Sequence, residues 1–322
     1  MSAQLQLVSA PPLVSKPAST APAIEVDDLS LYFGGKAALD RLSLSIPQGG
    51  IHAIVGANGA GKSSLFRVLL GFQSPSSGQA RILQRDSARL NERDRARIGF
   101  VNEEHSLPAW LRVAEVVAMQ RRLYPQWNAQ RYANIVGHFN VLPEQRVREL
   151  SRGERAGLNL AMAMAQSPEL LILDEPTLGL DVVAKRAFLE CLLEAVAESD
   201  STIIYCSHQM EEIERLADNL IVLERGRLIH MSPPEEFCQR VSLWVADFGL
   251  TSVPVAQLPG LLQQQKLDGL SHLLVLDADS EFGARLEALG ARRHYRGEVS
   301  LDRAVNAMLT RNHAAPSQPL AD

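Results

Sequence analysis

The chain has 322 residues, enough for one large domain and a smaller one. Its apolar fraction of 46% is typical of a globular protein, and its apolar runs are shorter than the roughly 18 residues of a membrane span. The net charge of −5, without a run of Lys or Arg, argues against a nucleic-acid partner, and no secretory signal is predicted. The cysteines Cys191, Cys206 and Cys238 have no metal or redox spacing, which indicates thiols in a reducing compartment.

The N-terminal part of the chain predicts a tail followed by a small antiparallel β-layer. Residues 1–23 are rich in Pro, Ala and Ser, a composition typical of a disordered tail. Order is predicted from Ala23–Val26 onwards, and Leu42–Ile46 alternates between apolar and polar residues as a half-buried strand does. Between these strands, Tyr32 or Phe33 can stack on an adenine ring, while a core role at the strand end is an equal alternative.

A phosphate-binding loop is predicted next. The motif G-x-x-x-x-G-K-[ST] stands between a short apolar strand, 52–55, and an apolar helix, 65–70, which is the context that the motif requires. Its glycines let backbone N–H groups converge on phosphate oxygens, and the positive end of the helix points at the same anion. Lys62 supplies a point charge to the outer phosphates, and the Ser63 hydroxyl is a Mg²⁺ ligand. The predicted binding residues are Gly56, Ala57, Asn58, Gly59, Ala60, Gly61, Lys62, Ser63 and Ser64.

The middle of the chain changes from strand patterns to helix patterns. Residues 79–86 and 97–101 predict strands, after which apolar residues recur at helical spacing and predict a separate helical subdomain over about 104–168. Near its end, Ser151 and Glu154 have the spacing of a capping box at a helix start. The local residues alone support no more than this capping role.

Two adjacent carboxylates follow a strongly apolar strand. Leu170–Leu173 suits a central parallel strand buried on both faces, and Asp174 and Glu175 stand at its carboxyl end, where open α/β sheets bind ligands. Asp174 is predicted to hold Mg²⁺, and Glu175 to orient and deprotonate the attacking water. Without the phosphate loop upstream, a pair of solvated turn carboxylates would be the usual interpretation.

Another buried strand, 201–206, ends close to His208. A histidine at a strand end is usually a hydrogen-bonded polar residue, but here it follows a strand of the same sheet, so a contact with the terminal phosphate is predicted. Gly179–Asp181 starts the helix before this strand, and a hairpin around Arg225–Gly226 closes a domain that spans 24–238.

The C-terminal part predicts a small α+β appendage over 239–314, and a tail over 315–322. Alternating or apolar runs predict strands at 242–246 and 272–276. Helical spacing predicts a helix around Phe282 and a second helix behind Ser300 as N-cap. No motif assigns this appendage a function.

The motifs, in their order, resemble those of the nucleotide-binding subunit of ABC transporters. The resemblance covers about residues 24–235 and implies an α/β P-loop NTPase fold with an antiparallel β-layer and a helical subdomain. By this resemblance, the Walker A motif is Gly56–Ser63, and the Walker B motif is Leu170–Asp174 with Glu175 as catalytic base. The D-loop is Gly179–Asp181, and the switch histidine is His208. The aromatic residue that stacks on the adenine is Phe33 or, as the other possibility, Tyr32.

Two positions depart from the family pattern. The signature, commonly LSGGQ, is Leu150–Glu154 here, with Arg152 in the middle, while Ser151 and Gly153 are kept. In the family these two residues face the γ-phosphate that the other subunit holds. The Q-loop glutamine falls on Glu103, a carboxylate that can still ligate Mg²⁺ but adds negative charge beside the γ-phosphate.

The resemblance implies ATP and Mg²⁺ as ligands, with Ser63, Asp174 and Glu103 at the metal and Asp181 in the nucleotide site. It also implies a head-to-tail dimer with a second ATP-binding subunit. Transport would need a separate integral membrane permease, with this chain on the cytoplasmic face of the inner membrane. The overall pattern most resembles bacterial exporters of the antibiotic- or drug-resistance type.

The sequence leaves two alternatives to a transporter subunit. The first is a soluble ABC-type ATPase with a non-transport role, but such proteins usually have two nucleotide domains, a long coiled coil or basic surfaces, and this sequence has none of these. The second is a GTPase or small-molecule kinase, which would leave Ser151 and His208 unexplained and lacks a base-reading Asn-Lys-x-Asp motif.

Overall fold

The computed structural model describes residues 21–198, 200–249 and 258–311. Most of the predicted N-terminal tail and the whole of the predicted tail 315–322 lie outside the described residues. Ala23, at the end of the predicted N-terminal tail, belongs instead to the folded part, because it is fully buried and its N–H donates to the carbonyl of Ile46 at 2.8 Å.

The strands of the described residues form an antiparallel layer, a central sheet and a C-terminal sheet. The antiparallel layer has the order β2-β1-β4-β5, with β1 (Ile24–Phe33), β2 (Lys36–Ile46), β4 (Ser77–Ile82) and β5 (Arg85–Asp86). The central sheet has the order β10-β9-β3-β8-β7-β6, with β3 (Ile51–Val55), β6 (Ile98–Val101), β7 (Leu170–Asp174), β8 (Thr202–Cys206), β9 (Asn219–Glu224) and β10 (Arg227–Ser232). Its strands pair in parallel except for the predicted β9–β10 hairpin.

The C-terminal sheet is antiparallel, with the order β12-β13-β11-β14. Its strands are β11 (Val241–Asp247), β12 (Leu261–Leu267), β13 (Leu270–Leu276) and β14 (Arg293–Gly297). The α-helices of the described residues are α1 (Lys62–Leu69), α2 (Glu92–Ala96), α3 (Val113–Leu123), α4 (Ala129–Gly137), α5 (Arg152–Ala165), α6 (Val182–Glu198), α7 (Met210–Leu216), α8 (Pro234–Arg240), α9 (Phe282–Ala288) and α10 (Leu301–Thr310). Of the described helices, none combines the length and the apolarity that a membrane span needs.

The central strands separate hydrophobic cores because alternate side chains leave opposite faces of the sheet. Ile54 of β3 belongs to the core beneath the antiparallel layer, together with Phe66 of α1. Leu171 and Leu173 of β7 belong to the core under α5 and α6. This alternation explains why the strand sequences are almost entirely apolar, since both faces are covered.

The helical segment shares the second of these cores with the sheet. Val116 of α3, Ile135 of α4 and Leu158 of α5 pack in one buried cluster with Leu171 and with Phe188 of α6. The three helices were expected from their spacing, and the structure adds that they pack in a core shared with the sheet. The sequence could not show this, because periodicity reveals an apolar face and not the surface that covers it.

The C-terminal segment contains the predicted strands and helices, and Ser300 caps α10 by accepting a hydrogen bond from the N–H of Arg303. Two further strands, β12 and β14, were not predicted. Both are edge strands with mainly exposed polar side chains, so they lack the apolar alternation by which strands are recognised.

The last helix, α10, packs against the central sheet. Its Leu301, Val305 and Met308 pack in a third core with Ala53 and Val55 of β3. The C-terminal segment therefore lies against the strand that leads into the phosphate loop.

Candidate active site

The phosphate loop has the backbone geometry that its glycines permit. Gly61 is the N-cap of α1 with a φ of 104°, a region that only glycine adopts readily. A Cβ on Gly56 would lie 2.3 Å from the carbonyl oxygen of Leu223, so the loop crosses β9 at a distance that excludes any side chain. The Lys62 Nζ donates to the carbonyl of Gly56 at 2.6 Å, which holds the ammonium over the loop.

A cavity of about 450 Å³ opens at this loop and gathers most of the predicted site residues. Phe33 lies in its wall and Tyr32 does not, which favours Phe33 as the surface on which an adenine stacks. The neighbouring β2 residues Lys36, Ala37 and Ala38 also line the cavity, and the sequence motifs did not reveal them. Its remaining lining consists of Asn58, Gly59, Ala60, Gly61, Lys62, Ser63, Ser64, Glu103, Asp174 and Glu175.

The residues predicted to hold Mg²⁺ supply suitable oxygen atoms on one side of this cavity. Ser63 hydrogen-bonds to Asp174, and burial raises the pKa of Asp174, with the carboxylate of Glu103 acting in the same direction. Among the described residues no group of three or more His, Cys, Asp and Glu is placed to form a metal cage. Two carboxylates and a hydroxyl still fit Mg²⁺, which typically takes one or two protein carboxylates and completes its shell with water and substrate phosphates.

Glu175 and His208 form a contact pair at the same edge. His208 Nδ1 lies 2.8 Å from Glu175 Oε2. Burial raises the pKa of Glu175, an effect that the His208 side chain opposes. The backbone of Glu175 is in the left-handed region, with a φ of 50°, and its N–H donates to the carbonyl of Cys206 at 3.0 Å. A partly buried carboxylate of raised pKa, aimed into the cavity, has the properties of a general base.

The signature residues and the D-loop lie outside this cavity. Ser151 caps α5 in the predicted capping box with Glu154, and Asp181 caps α6 by accepting hydrogen bonds from the N–H groups of Val183 and Ala184 at 2.9 Å. A Cβ on Gly153 would lie 2.7 Å from the Cβ of Ala184, so the start of α5 needs glycine there to approach α6. The structure does not bring Ser151, Gly153 and Asp181 together with Lys62 in the cavity of this chain.

Arg152, the departure in the signature, has a structural role that its motif does not suggest. Its guanidinium lies against Gly179, at 3.1 Å from where a Cβ would stand, and Nη2 donates to the carbonyl of Glu103 at 3.4 Å. The side chain thus spans from the signature to both the Q-loop and the D-loop. The two departures from the family pattern, Arg152 and Glu103, are in direct contact.

A second cleft of about 670 Å³ lies between the phosphate loop and the C-terminal segment. The phosphate loop, Glu175 and His208 form one wall, and Asp302 and Asn306 of α10 form part of the other. These α10 residues lie four apart and so share one helix face. No sequence motif identified them, because α10 approaches the site only through the tertiary packing of its opposite, apolar face.

His105 is a buried group near the site that the motifs also missed. Its Nε2 donates to the carbonyl of Pro176 at 2.9 Å, directly after Glu175, and only 2% of the residue is exposed. Burial, assisted by the guanidinium charges of Arg152 and Arg155, lowers the pKa of His105 to about 4. His105 is therefore neutral in the folded chain at neutral pH.

This burial predicts a pH dependence of stability. The unfolded chain takes up a proton on His105 near pH 6.5, whereas the folded chain resists protonation down to pH about 4, so stability is lost as the pH falls through this window. We expect this group to lower the free energy of unfolding by about 2 kcal/mol between pH 7.5 and 5. Urea unfolding at both pH values, compared with His105→Gln, measures it. The glutamine keeps an N–H donor for Pro176 without titrating, so equal pH dependence in both proteins would contradict a buried neutral histidine.

Comparison with known proteins adds a family context to this geometry. A family profile described as "ABC transporter" matches residues 39–178. The chain is 36% identical over 218 residues to the Nod factor export ATP-binding protein I of Rhizobium johnstonii, covering 66% of this chain and 70% of that protein. It is 32% identical over 233 residues to a methionine import ATP-binding protein of Mesorhizobium japonicum, covering 70% of this chain and 64% of that protein. A solved structure of an ATP-binding subunit of an ABC transporter matches 67% of this chain and 92% of its own, with 25% identity and a TM-score of 0.61.

Proposed function

The chain belongs to the ABC transporter family as an ATP-binding subunit, and on this premise we propose that it hydrolyses ATP to power export through a separate membrane permease. The family hydrolyses ATP, and the predicted P-loop NTPase fold is confirmed. The observation that carries the proposal is the arrangement of one cavity, in which Lys62, Asp174 and Glu175 converge at the phosphate loop.

In the proposed reaction, each of these side chains has a distinct task. Phe33 stacks on the adenine, while the loop N–H groups and Lys62 hold the phosphates. Glu175 takes the proton of the attacking water, and His208, in contact with it, orients the carboxylate and contacts the terminal phosphate. Mg²⁺, when bound by Ser63 and Asp174 with Glu103 beside them, would neutralise developing charge on the phosphates.

We further propose that two copies complete each other's sites head to tail. At the N-terminus of α5, Ser151 is exposed and Gly153 is buried, and neither lines the cavity of its own chain, so in this proposal the helix start meets the nucleotide of a partner. Val182 and Val183 follow Asp181 and are exposed by 82% and 79%, which is unusual for two adjacent apolar side chains and fits a surface covered on dimerisation.

The helical segment offers a surface for the permease. Apolar side chains are exposed there at Trp110, Met119, Leu123 and Leu142, and Trp110 is 70% exposed. Large exposed apolar side chains of this kind are enriched at protein interfaces. In this proposal the chain lies on the cytoplasmic face of the inner membrane, with the helical segment toward the permease.

The direction of transport is proposed from similarity alone. The relatives include both exporters and importers, and identity is higher to the Nod factor export protein than to the methionine import protein.

The proposal is tested by purifying the tagged chain from detergent-solubilised membranes, followed by mass spectrometry and an ATPase assay of the eluate. We expect a stoichiometric partner with several apolar membrane spans, together with ATP hydrolysis. A hydrolytically active chain that co-purifies with ribosomes or DNA-binding proteins, without a membrane partner, would overturn the transporter role and support the non-transport ATPase. The same eluate of a Lys62→Ala variant reports whether the measured hydrolysis belongs to this chain.

A further inference from the structure

Glu212 is a buried carboxylate that the proposed reaction does not use. It lies in the first turn of α7, and only 3% of its side chain is exposed. Burial of an unpartnered carboxylate is costly, but Glu212 is well satisfied by its neighbours. Among the described residues its oxygens accept hydrogen bonds from the hydroxyls of Thr177, Tyr205 and Ser207 and form an ion pair at 3.0 Å with Lys185.

Two of these donors belong to the segments that carry the proposed catalytic groups. Thr177 Oγ1 lies 2.9 Å from Glu212 Oε2 and comes two residues after Glu175. Ser207 Oγ lies 3.0 Å from the same oxygen and directly precedes His208. One carboxylate oxygen therefore joins the two segments between which the Glu175–His208 contact of 2.8 Å forms.

The conformation of Glu175 makes such a restraint necessary. Its φ of 50° is unfavourable for a residue with a Cβ, and strained residues persist only where their surroundings hold them. The next two residues are both held from the protein interior, Pro176 by the hydrogen bond from His105 and Thr177 by the hydrogen bond to Glu212.

Lys185 and Gln209 extend the restraint around the histidine. Lys185 forms the ion pair with Glu212 and also donates to the side-chain oxygen of Gln209. The N–H of Gln209 donates in turn to Ser207 Oγ at 3.1 Å. The residues on both sides of His208 are thus fixed, while the His208 side chain itself is more than half exposed.

From this geometry we propose that Glu212 is a positioning residue for ATP hydrolysis. It keeps the segments that carry Glu175 and His208 in the relative position that the contact between these two side chains requires. The inference rests on the proposed roles of those two residues. A glutamine at position 212 would keep the size of the side chain, but its amide N–H₂ group would face hydroxyl and ammonium donors that the carboxylate accepts from. At least one of the two segments would then lose its hydrogen bond and shift.

The test compares Glu212→Gln with Glu211→Gln in the full chain. Glu211 is the adjacent acidic residue on α7 and is exposed, so its variant removes the same charge without touching the buried cluster. We expect Glu212→Gln to lower kcat by about 10- to 100-fold, because small displacements of reacting groups have effects of this size. The Kd for ATP should change less than twofold, since the phosphate loop is untouched, and Glu211→Gln should behave as the wild type.

A second pair of variants keeps the test valid if Glu212→Gln does not fold. Thr177→Val removes the hydroxyl at nearly constant volume, whereas Thr177→Ser retains it, so kcat should fall about tenfold in the first and be largely preserved in the second. Equal kcat in the two Thr177 variants, or a folded Glu212→Gln variant with the kcat of Glu211→Gln, would overturn the inference.

Combination with Glu175→Gln separates positioning from general destabilisation. If Glu212 acts through Glu175, adding Glu212→Gln to Glu175→Gln should lower the residual turnover by much less than it lowers that of the wild type. A full multiplicative loss would contradict positioning through Glu175. Should Glu175→Gln alone retain normal turnover, the proposed function of Glu175 fails, and that outcome is distinct from a failure of the Glu212 inference alone.

Discussion

Replacement of Glu175 by Gln is expected to leave ATP binding intact and to lower ATP turnover by about 10²- to 10³-fold. The reason is that the variant keeps the shape of the side chain but cannot accept the proton of the attacking water, and a positioned general base contributes about this factor. The Lys62 ammonium and the loop N–H groups, which we propose to bind the phosphates, do not depend on this carboxylate. Steady-state phosphate release and ATP binding by fluorescence titration measure the two quantities separately.

The same variant should also accumulate the ATP-bound dimer. We propose that ATP binding closes the head-to-tail dimer and that hydrolysis reopens it, so a chain that binds ATP without cleaving it remains closed. Size-exclusion chromatography with and without ATP detects this shift. Glu236→Gln, which removes an exposed carboxylate on α8, serves as the matched control and should turn over ATP normally without accumulating a dimer. Normal turnover in Glu175→Gln would remove Glu175 as the base.

Replacement of Lys62 by Ala is expected to weaken ATP binding by roughly 10- to 100-fold. A hydrogen bond to a charged group contributes about 1.5–3 kcal/mol, and Lys62 is the cation that the phosphate loop holds over its own carbonyls. Turnover should fall at least as much, because the charge that develops on the phosphates in the transition state loses the same partner.

A matched control separates this local effect from the loss of a positive charge. Lys266 is exposed on the edge strand β12, so Lys266→Ala changes the net charge equally without touching the cavity. Thermal unfolding of both variants verifies that the loop still folds without the Lys62 contacts. Unchanged ATP affinity in a folded Lys62→Ala variant would refute the assignment of the phosphate loop.

Much of the candidate site was predictable because its motifs are local. A phosphate loop is defined by glycines that must adopt particular backbone angles within a few residues, as Gly61 does with a φ of 104°. The Ser151 capping box is likewise satisfied within one helical turn. The roles assigned to these residues stay predictions until the variants are measured, but their placement in space follows from short-range geometry.

The side chains that hold the site together were less accessible to sequence analysis. The sequence contains one indication that Glu212 is buried: this acidic residue lies on the same helix face as the apolar residues Ile213 and Leu216. It contains no such indication for His105, since its partner, Pro176, lies far along the chain. Their importance arises from hydrogen bonds between distant segments, and no local pattern encodes such contacts.

The sequence by itself determined the family, the P-loop fold and the order of the motifs, because each depends on residue types at short, fixed spacing. Only the tertiary structure decided which of Tyr32 and Phe33 faces the cavity, since neighbouring residues on a strand point to opposite sides. It also placed α10 beside His208 and gave the helical segment a core in common with the sheet. Burial and long-range packing decide these features, because they depend on which surfaces meet and not on the pattern within any one segment.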